Sequence, residues 1–323
     1  MVCNPVIEPI KKTPIGLFGC PLGLLGLTLA TLHIETSTGT THAAGGSLLV
    51  LTVTVFCLVS VAYLVKSTCR PAAARADWLH PVRCNFFAII SGTLALLGLA
   101  MLPFSHALAL PVWALGAVAH LVVTLGILGR WLGPTSFDGF TLSPAQFLPA
   151  VGNVLVPLAG VPLGFVEVSW FFFSIGLILW LVLMPIIIGR LLTQPSPPDA
   201  LLPTLAILIA PPSLLMMVYL RLDPDGIEAL PKVLYYTSLM FFLTMFTQIP
   251  RLARIDFALS WWAYTFPMAA FTVGTLTFAE VSGIEGLGVF GLGLYGALIA
   301  TVLVVLWRTV KALFTGRVFV PDT

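Results

Sequence analysis

Charge is what this sequence has least of. Only 9% of its 323 residues are Asp, Glu, Lys or Arg, 13 acids against 15 bases, while 59% are hydrophobic. A soluble domain is about 25% charged and about 45–50% apolar. So little polar surface excludes a soluble enzyme and a disordered chain. A net charge of +2 excludes a nucleic-acid partner, which would need a basic footprint. Cysteine is scarce too: there are five, with no CxxC and no metal-spaced Cys/His cluster. Cys20 and Cys57 fall in apolar runs, and Cys3, Cys69 and Cys84 toward the side read below as cytoplasmic, where thiols stay reduced. No disulfide, metal or other cofactor is therefore expected. The motifs of intramembrane hydrolases are also missing: no HExxH, no GxGD-type aspartate pair, no Gly-flanked Ser nucleophile. The chain reads as a non-enzyme.

What is present is apolar sequence in long runs. A membrane helix needs about 20 mostly apolar residues, and ten runs qualify: 14–34, 44–65, 84–104, 108–132, 144–164, 167–190, 200–220, 232–249, 258–279 and 288–314. The expectation is a single all-α membrane domain over 1–323, its ten helices arranged as five helical hairpins in a lipid bilayer. The first run is longer than a signal-peptide core and lacks a small-residue cleavage site, so it reads as a span. With ten spans, all Lys and Arg except Arg221 and Lys232 fall on the side of the termini. Basic residues accumulate on the cytoplasmic side, so both termini are expected there.

Proline divides the runs. Odd runs carry Pro14, Pro21, Pro149, Pro157, Pro162, Pro203, Pro211, Pro212 and Pro267; even runs carry only Pro111 and Pro185. Proline removes a helix hydrogen bond, and in lipid such breaks are tolerated where backbone is buried in protein or lines a wet cavity. The alternation predicts an inner ring of odd helices around a path and an outer, lipid-facing ring of even ones. No Asp, Glu, Lys or Arg falls in the middle third of any run. That argues against acid-ringed cation pores and ion-coupled carriers with a midplane charge. A broken, uncharged inner ring suits an anion, or a small neutral solute, because exposed backbone N–H groups favour anions and weak sites let them leave. His120 lies deep in the fourth run; a proton relay or a neutral imidazole bridging two helices would each account for it, and its place on an even run favours the bridge. His33, His42 and His106 are expected outside the membrane, and His80 at the cytoplasmic mouth.

Several segments resemble one family. SWWAYTFPMAAFTVGT (260–275), preceded by RLARIDFAL, is the clearest; TPIGLFGCPLGLLGL (13–27), HPVRCNFF (80–87), SPAQFLPAVGN (143–153) and APPSLLMMVYL (210–220) join it. Together they resemble the tellurite-resistance TehA and plant slow-anion-channel family, also described as tellurite-resistance/dicarboxylate transporters. The resemblance implies ten helices as five hairpins, odd helices around a pore, and a homotrimer with one pore per protomer. It implies a gate at Phe266 in the TFP motif, faced by Gly19 on the first helix. Phe18, Pro21, Phe87, Phe147, Pro149, Asn153, Ser213, Leu214, Thr265 and Pro267 are the further lining candidates, although Asn153 and Ser213 would equally bond a neighbouring helix. The short stretches outside the runs resemble the bacterial members, without the phosphorylated tails of the plant ones. The implied function is a gated anion channel or uniporter of the bacterial inner membrane, linked to tellurite resistance, with small inorganic or organic anions as partners. A secondary carrier for C4-dicarboxylates or sulfite is the alternative.

Overall fold

The computed structural model describes residues 10–133, 142–196, 198–226, 228–252 and 254–316. Cys3 and Arg317 lie outside them. Every element among the described residues is helical. In chain order they are α1 (Gly19–Thr38), α2 (Ala43–Cys69), α3 (Pro71–Leu79), α4 (Phe87–Met101), α5 (His106–Trp131), α6 (Phe147–Val151), α7 (Leu155–Gly160), α8 (Val166–Thr193), α9 (Ala210–Leu222), α10 (Ala229–Leu252), α11 (Thr265–Ser282) and α12 (Leu287–Phe314). 3₁₀ segments precede six of them: Ile15–Phe18 before α1, Arg83–Phe86 before α4, Pro144–Gln146 before α6, Gly152–Val154 before α7, Asp199–Ile209 before α9 and Leu259–Tyr264 before α11.

Eight helices are long and apolar enough to cross a membrane. Two of the ten expected runs fall short of that standard, for different reasons. The fifth is divided into α6 and α7 by a 3₁₀ turn at Gly152–Val154. The ninth, α11, is continuous, but four threonines dilute its apolar residues. Burial separates the eight into two kinds. The segments Ile15–Thr38, Arg83–Met101 and Leu201–Leu222 are 83%, 67% and 89% buried; α2, α5, α8, α10 and α12 lie between 22% and 33%. The interrupted fifth run is buried along nearly its whole length.

Small residues let the buried helices meet. Gly19, Gly23 and Gly26 lie along one side of α1, against the ninth run. A Cβ on Gly23 would stand 2.1 Å from Thr265 Oγ1, and one on Gly26 would stand 2.8 Å from Ala269 Cβ. Without a hydrophobic driving force inside lipid, such close backbone approach is the main source of helix association. At their far ends α1 and α11 are each closed by a left-handed glycine, Gly39 (φ 65°) and Gly283 (φ 64°). Glu35, near the end of α1, accepts hydrogen bonds from the amides of Ala44 (2.9 Å) and Gly45 (3.1 Å), capping the start of α2.

The connection 66–83, the longest between the apolar runs, is ordered around α3. Lys66 is buried at the end of α2, and its ammonium bonds Asp77 Oδ2 (2.5 Å) and the carbonyl of Thr13 (2.9 Å). Tyr63 donates to the same carboxylate (3.1 Å), and Arg83 pairs with Asp77 Oδ1 (3.1 Å). Arg130 of α5 donates to the carbonyls of Trp78 and Leu79 at the end of α3. A buried ion pair with one partner removed leaves an uncompensated charge. Asp77→Ala is accordingly expected to destabilise by about 3–5 kcal/mol, read as a fall in the thermal transition in detergent, and a paired Lys66→Met/Asp77→Leu variant to recover much of that loss. An unshifted transition in Asp77→Ala would contradict the assignment. Gly23→Ala is expected to cost about 1–3 kcal/mol by overpacking; equal stability to the parent would show that α1 and α11 are free to separate.

Candidate functional site

Two cavities lie between the buried helices, one toward each end. The larger, about 480 Å³, is bordered by leucines of α1 and α4, by Pro162, and by the polar side chains of His33, Thr36 and Arg221. The smaller, about 90 Å³, is bordered by residues of the 3₁₀ mouths and their helices, among them Gly16, Phe86, Phe147, Thr204 and Trp262. Leu214 and Phe266 border both cavities. These two side chains, from α9 and α11, therefore stand between the two spaces.

The ninth run fixes Phe266 in place. A 3₁₀ segment packs its side chains less regularly than an α-helix, and Leu259–Tyr264 passes into α11 at Thr265. Pro267 falls in the first turn, where its missing N–H costs no helix bond. Thr265 Oγ1 donates to the carbonyl of Trp262 (2.7 Å), and Trp262 Nε1 donates to Thr309 Oγ1 of α12 (2.9 Å). Farther along α11, Phe271 stacks on Phe242 (ring centroids 4.7 Å) and Phe278 on Tyr235 (4.3 Å), both of α10. The helix carrying Phe266 is thus held from behind by α10 and α12 and from the front by the glycines of α1.

The other expected residues divide by this geometry. Gly19, Phe147, Leu214 and Pro267 border the smaller cavity with Phe266. The contact of Gly19 is with Trp262, whose Cβ a Cβ there would meet at 3.0 Å. The glycine at Phe266 is Gly26, whose Cβ would lie 3.4 Å from its ring. Phe18, Pro21, Phe87, Pro149, Asn153, Ser213 and Thr265 border neither cavity. Phe18 packs edge-on against Phe56 and Tyr63, and Phe87 against Tyr63 and Trp78. Pro21 is buried in the first turn of α1. Asn153 Nδ2 donates to the carbonyls of Pro149 and Ala150, both 2.9 Å, and Thr124 Oγ1 donates to that of Pro149 (3.0 Å). Ser213 donates to Ser238 Oγ (2.6 Å), which in turn donates to the carbonyl of Ile209 (2.8 Å). These polar side chains serve the proline-broken backbone rather than the cavities.

His120 is fully buried, with Nδ1 2.9 Å from Ser91 Oγ of α4 and its ring against Gly152. It bridges helices and borders neither cavity. His33, expected outside, is half-buried and lines the larger cavity; its Nε2 lies 3.6 Å from Glu280 Oε1. Arg221, expected in a loop, occupies the last turn of α9 and reaches the same cavity. Phe86, Trp262, Gly26, His33 and Arg221 line the cavities without being lining candidates in the sequence. Gly26 had a signal, since it continues the spacing of Gly19 and Gly23; Arg221 had none beyond its isolation on the sparsely charged side.

Comparisons with known proteins agree with one another. A family model described as voltage-dependent anion channel matches residues 12–310. S-type anion channel SLAH2 of Arabidopsis thaliana is 30% identical over 322 residues, covering 97% of this chain and 62% of that protein. Guard cell S-type anion channel SLAC1 of the same plant is 27% identical over 281 residues, covering 84% and 50%. The chain thus spans about half to three-fifths of the length of these plant relatives. The tellurite resistance protein TehA homolog of Haemophilus influenzae is 27% identical over 262 residues, covering 80% of this chain and 78% of that protein.

A partition at Leu214 and Phe266 has a direct consequence for access. In a background without reactive cysteines, Ala263→Cys on the smaller cavity and Val273→Cys on the larger are expected to react with a charged thiol reagent from opposite faces of the membrane. Reaction of both from one face would show that the two spaces are already continuous.

Proposed function

The chain belongs to the voltage-dependent anion channel family, and from that premise we propose that it is a gated channel for small anions whose path runs through the two cavities and is closed by Phe266 and Leu214. The observation that carries this reading is that both side chains border both spaces. A bulky ring across a narrow apolar path keeps it dry, and a dry constriction does not conduct. Truncating the ring would let water and ions through.

In this reading all ten runs span the bilayer, as five hairpins. The five more buried runs surround the path, and the five exposed helices face lipid. The fifth and ninth runs can be interrupted or rich in threonine because neither meets hydrocarbon. The distribution of Lys and Arg supports a cytoplasmic smaller cavity and an external larger one. Placement in a bacterial inner membrane and a connection with tellurite rest on the likeness to the TehA homolog. Trimeric assembly rests on the family resemblance alone. No feature of the cavities favours a coupled carrier.

Phe266→Ala, reconstituted in liposomes, is expected to raise chloride efflux about tenfold or more, equivalent to about 1.4 kcal/mol or more off the barrier. Leu214→Ala is expected to act in the same direction with smaller effect. Flux equal to the parent in both variants would remove these residues from the closure.

A further inference from the structure

The larger cavity holds one fixed charge. Among its lining residues only Arg221 carries a permanent charge, and His33 is the only other titratable one. No carboxylate among the described residues pairs with Arg221. What holds it is backbone. Pro162 has no N–H, so the carbonyl of Leu158, four residues earlier, loses its helical donor; Arg221 Nη1 donates to that carbonyl instead. The guanidinium is fixed by one of its five donors, and the side chain stays exposed to the cavity. Beside it, His33 Nε2 makes no hydrogen bond but lies 3.6 Å from Glu280 Oε1, which does not line the cavity.

A cation held in this way, unpaired and in a space walled by leucine, attracts anions and repels cations. Because it is exposed in the cavity, it binds loosely, as conduction requires. On the channel reading above, we propose that Arg221 is a selectivity residue: its guanidinium holds a small inorganic anion in the cavity next to Phe266, on the side away from Trp262, and excludes cations from it. The middle of each run is uncharged, but the larger cavity is not: among its lining residues the fixed charge is Arg221, seven residues beyond Leu214 on α9.

Two measurements test this. Chloride currents are recorded in the Phe266→Ala channel with and without Arg221→Gln or Arg221→Lys. Arg221→Gln is expected to raise half-saturating chloride on the larger-cavity side about fivefold, the scale of a partly exposed charge contact, and to lower the chloride-to-potassium permeability ratio. Arg221→Lys, which keeps the charge and a donor for Leu158, is expected to retain selectivity. Unchanged saturation and permeability in Arg221→Gln overturns the proposal, and so does equal loss of selectivity in both variants, which would mark a packing role. Independently of conduction, anomalous scattering from the parent protein soaked in bromide is expected to place an ion beside Arg221. No ion there overturns the proposal as well. If Phe266→Ala carries no current, the channel reading fails, and the bromide measurement alone decides whether Arg221 holds an anion.

Discussion

Inside a bilayer every backbone carbonyl must be given a donor by the protein, since lipid supplies none. Much of this fold follows from that constraint acting on a chain that breaks its own helices with proline. Carbonyls of the interrupted runs receive side-chain donors from neighbouring helices: Trp113 to Val156, Thr124 to Pro149, Ser238 to Ile209, and Arg221 to Leu158, whose helical donor Pro162 cannot supply. Three of these donors come from the exposed helices α5 and α10, so those helices hold the broken ones in place as well as covering them. The reward of the breaks is space. A straight bundle closes its own core, whereas the interrupted fifth run and the five 3₁₀ mouths leave room for two cavities.

The same logic places charge. Lys66, Asp77 and Arg83 form a satisfied network at one end, and it fastens α3 under the bundle. Arg221 at the other end is bonded to backbone only. A buried, paired charge serves structure; an unpaired one facing a cavity is available to a solute. Arg221 is set apart by its place on the wall of the larger cavity, with its one bond to backbone.

Much of this was legible in the residues, and the failures have physical causes. Hydropathy found the eight helices apolar enough to span, and proline marked the buried runs apart from the third, which has none in its interior, because both are properties of a single helix. The TFP motif drew notice to Phe266, which the structure places on the border of both cavities. That Gly26, rather than Gly19 or Gly23, touches its ring is not legible in sequence, where the three glycines are equivalent and only the crossing of α1 with α11 distinguishes them. Phe86 was missed in favour of Phe87 because Arg83–Phe86 is wound as 3₁₀, which rotates each side chain further than an α-helix does. Asn153 and Ser213 look like pore polarity in sequence; their hydrogen bonds to neighbouring backbone and side chains exist only in three dimensions. The order of the 66–83 segment depends on a contact between Lys66 and Asp77, which no periodicity records.

Closure of an anion path by Phe266 is tested most directly by the reversal potential of the Phe266→Ala current under a potassium chloride gradient. A channel for anions closed by this ring gives a reversal near the chloride equilibrium potential. A reversal near the potassium potential, or no current at all, would contradict it.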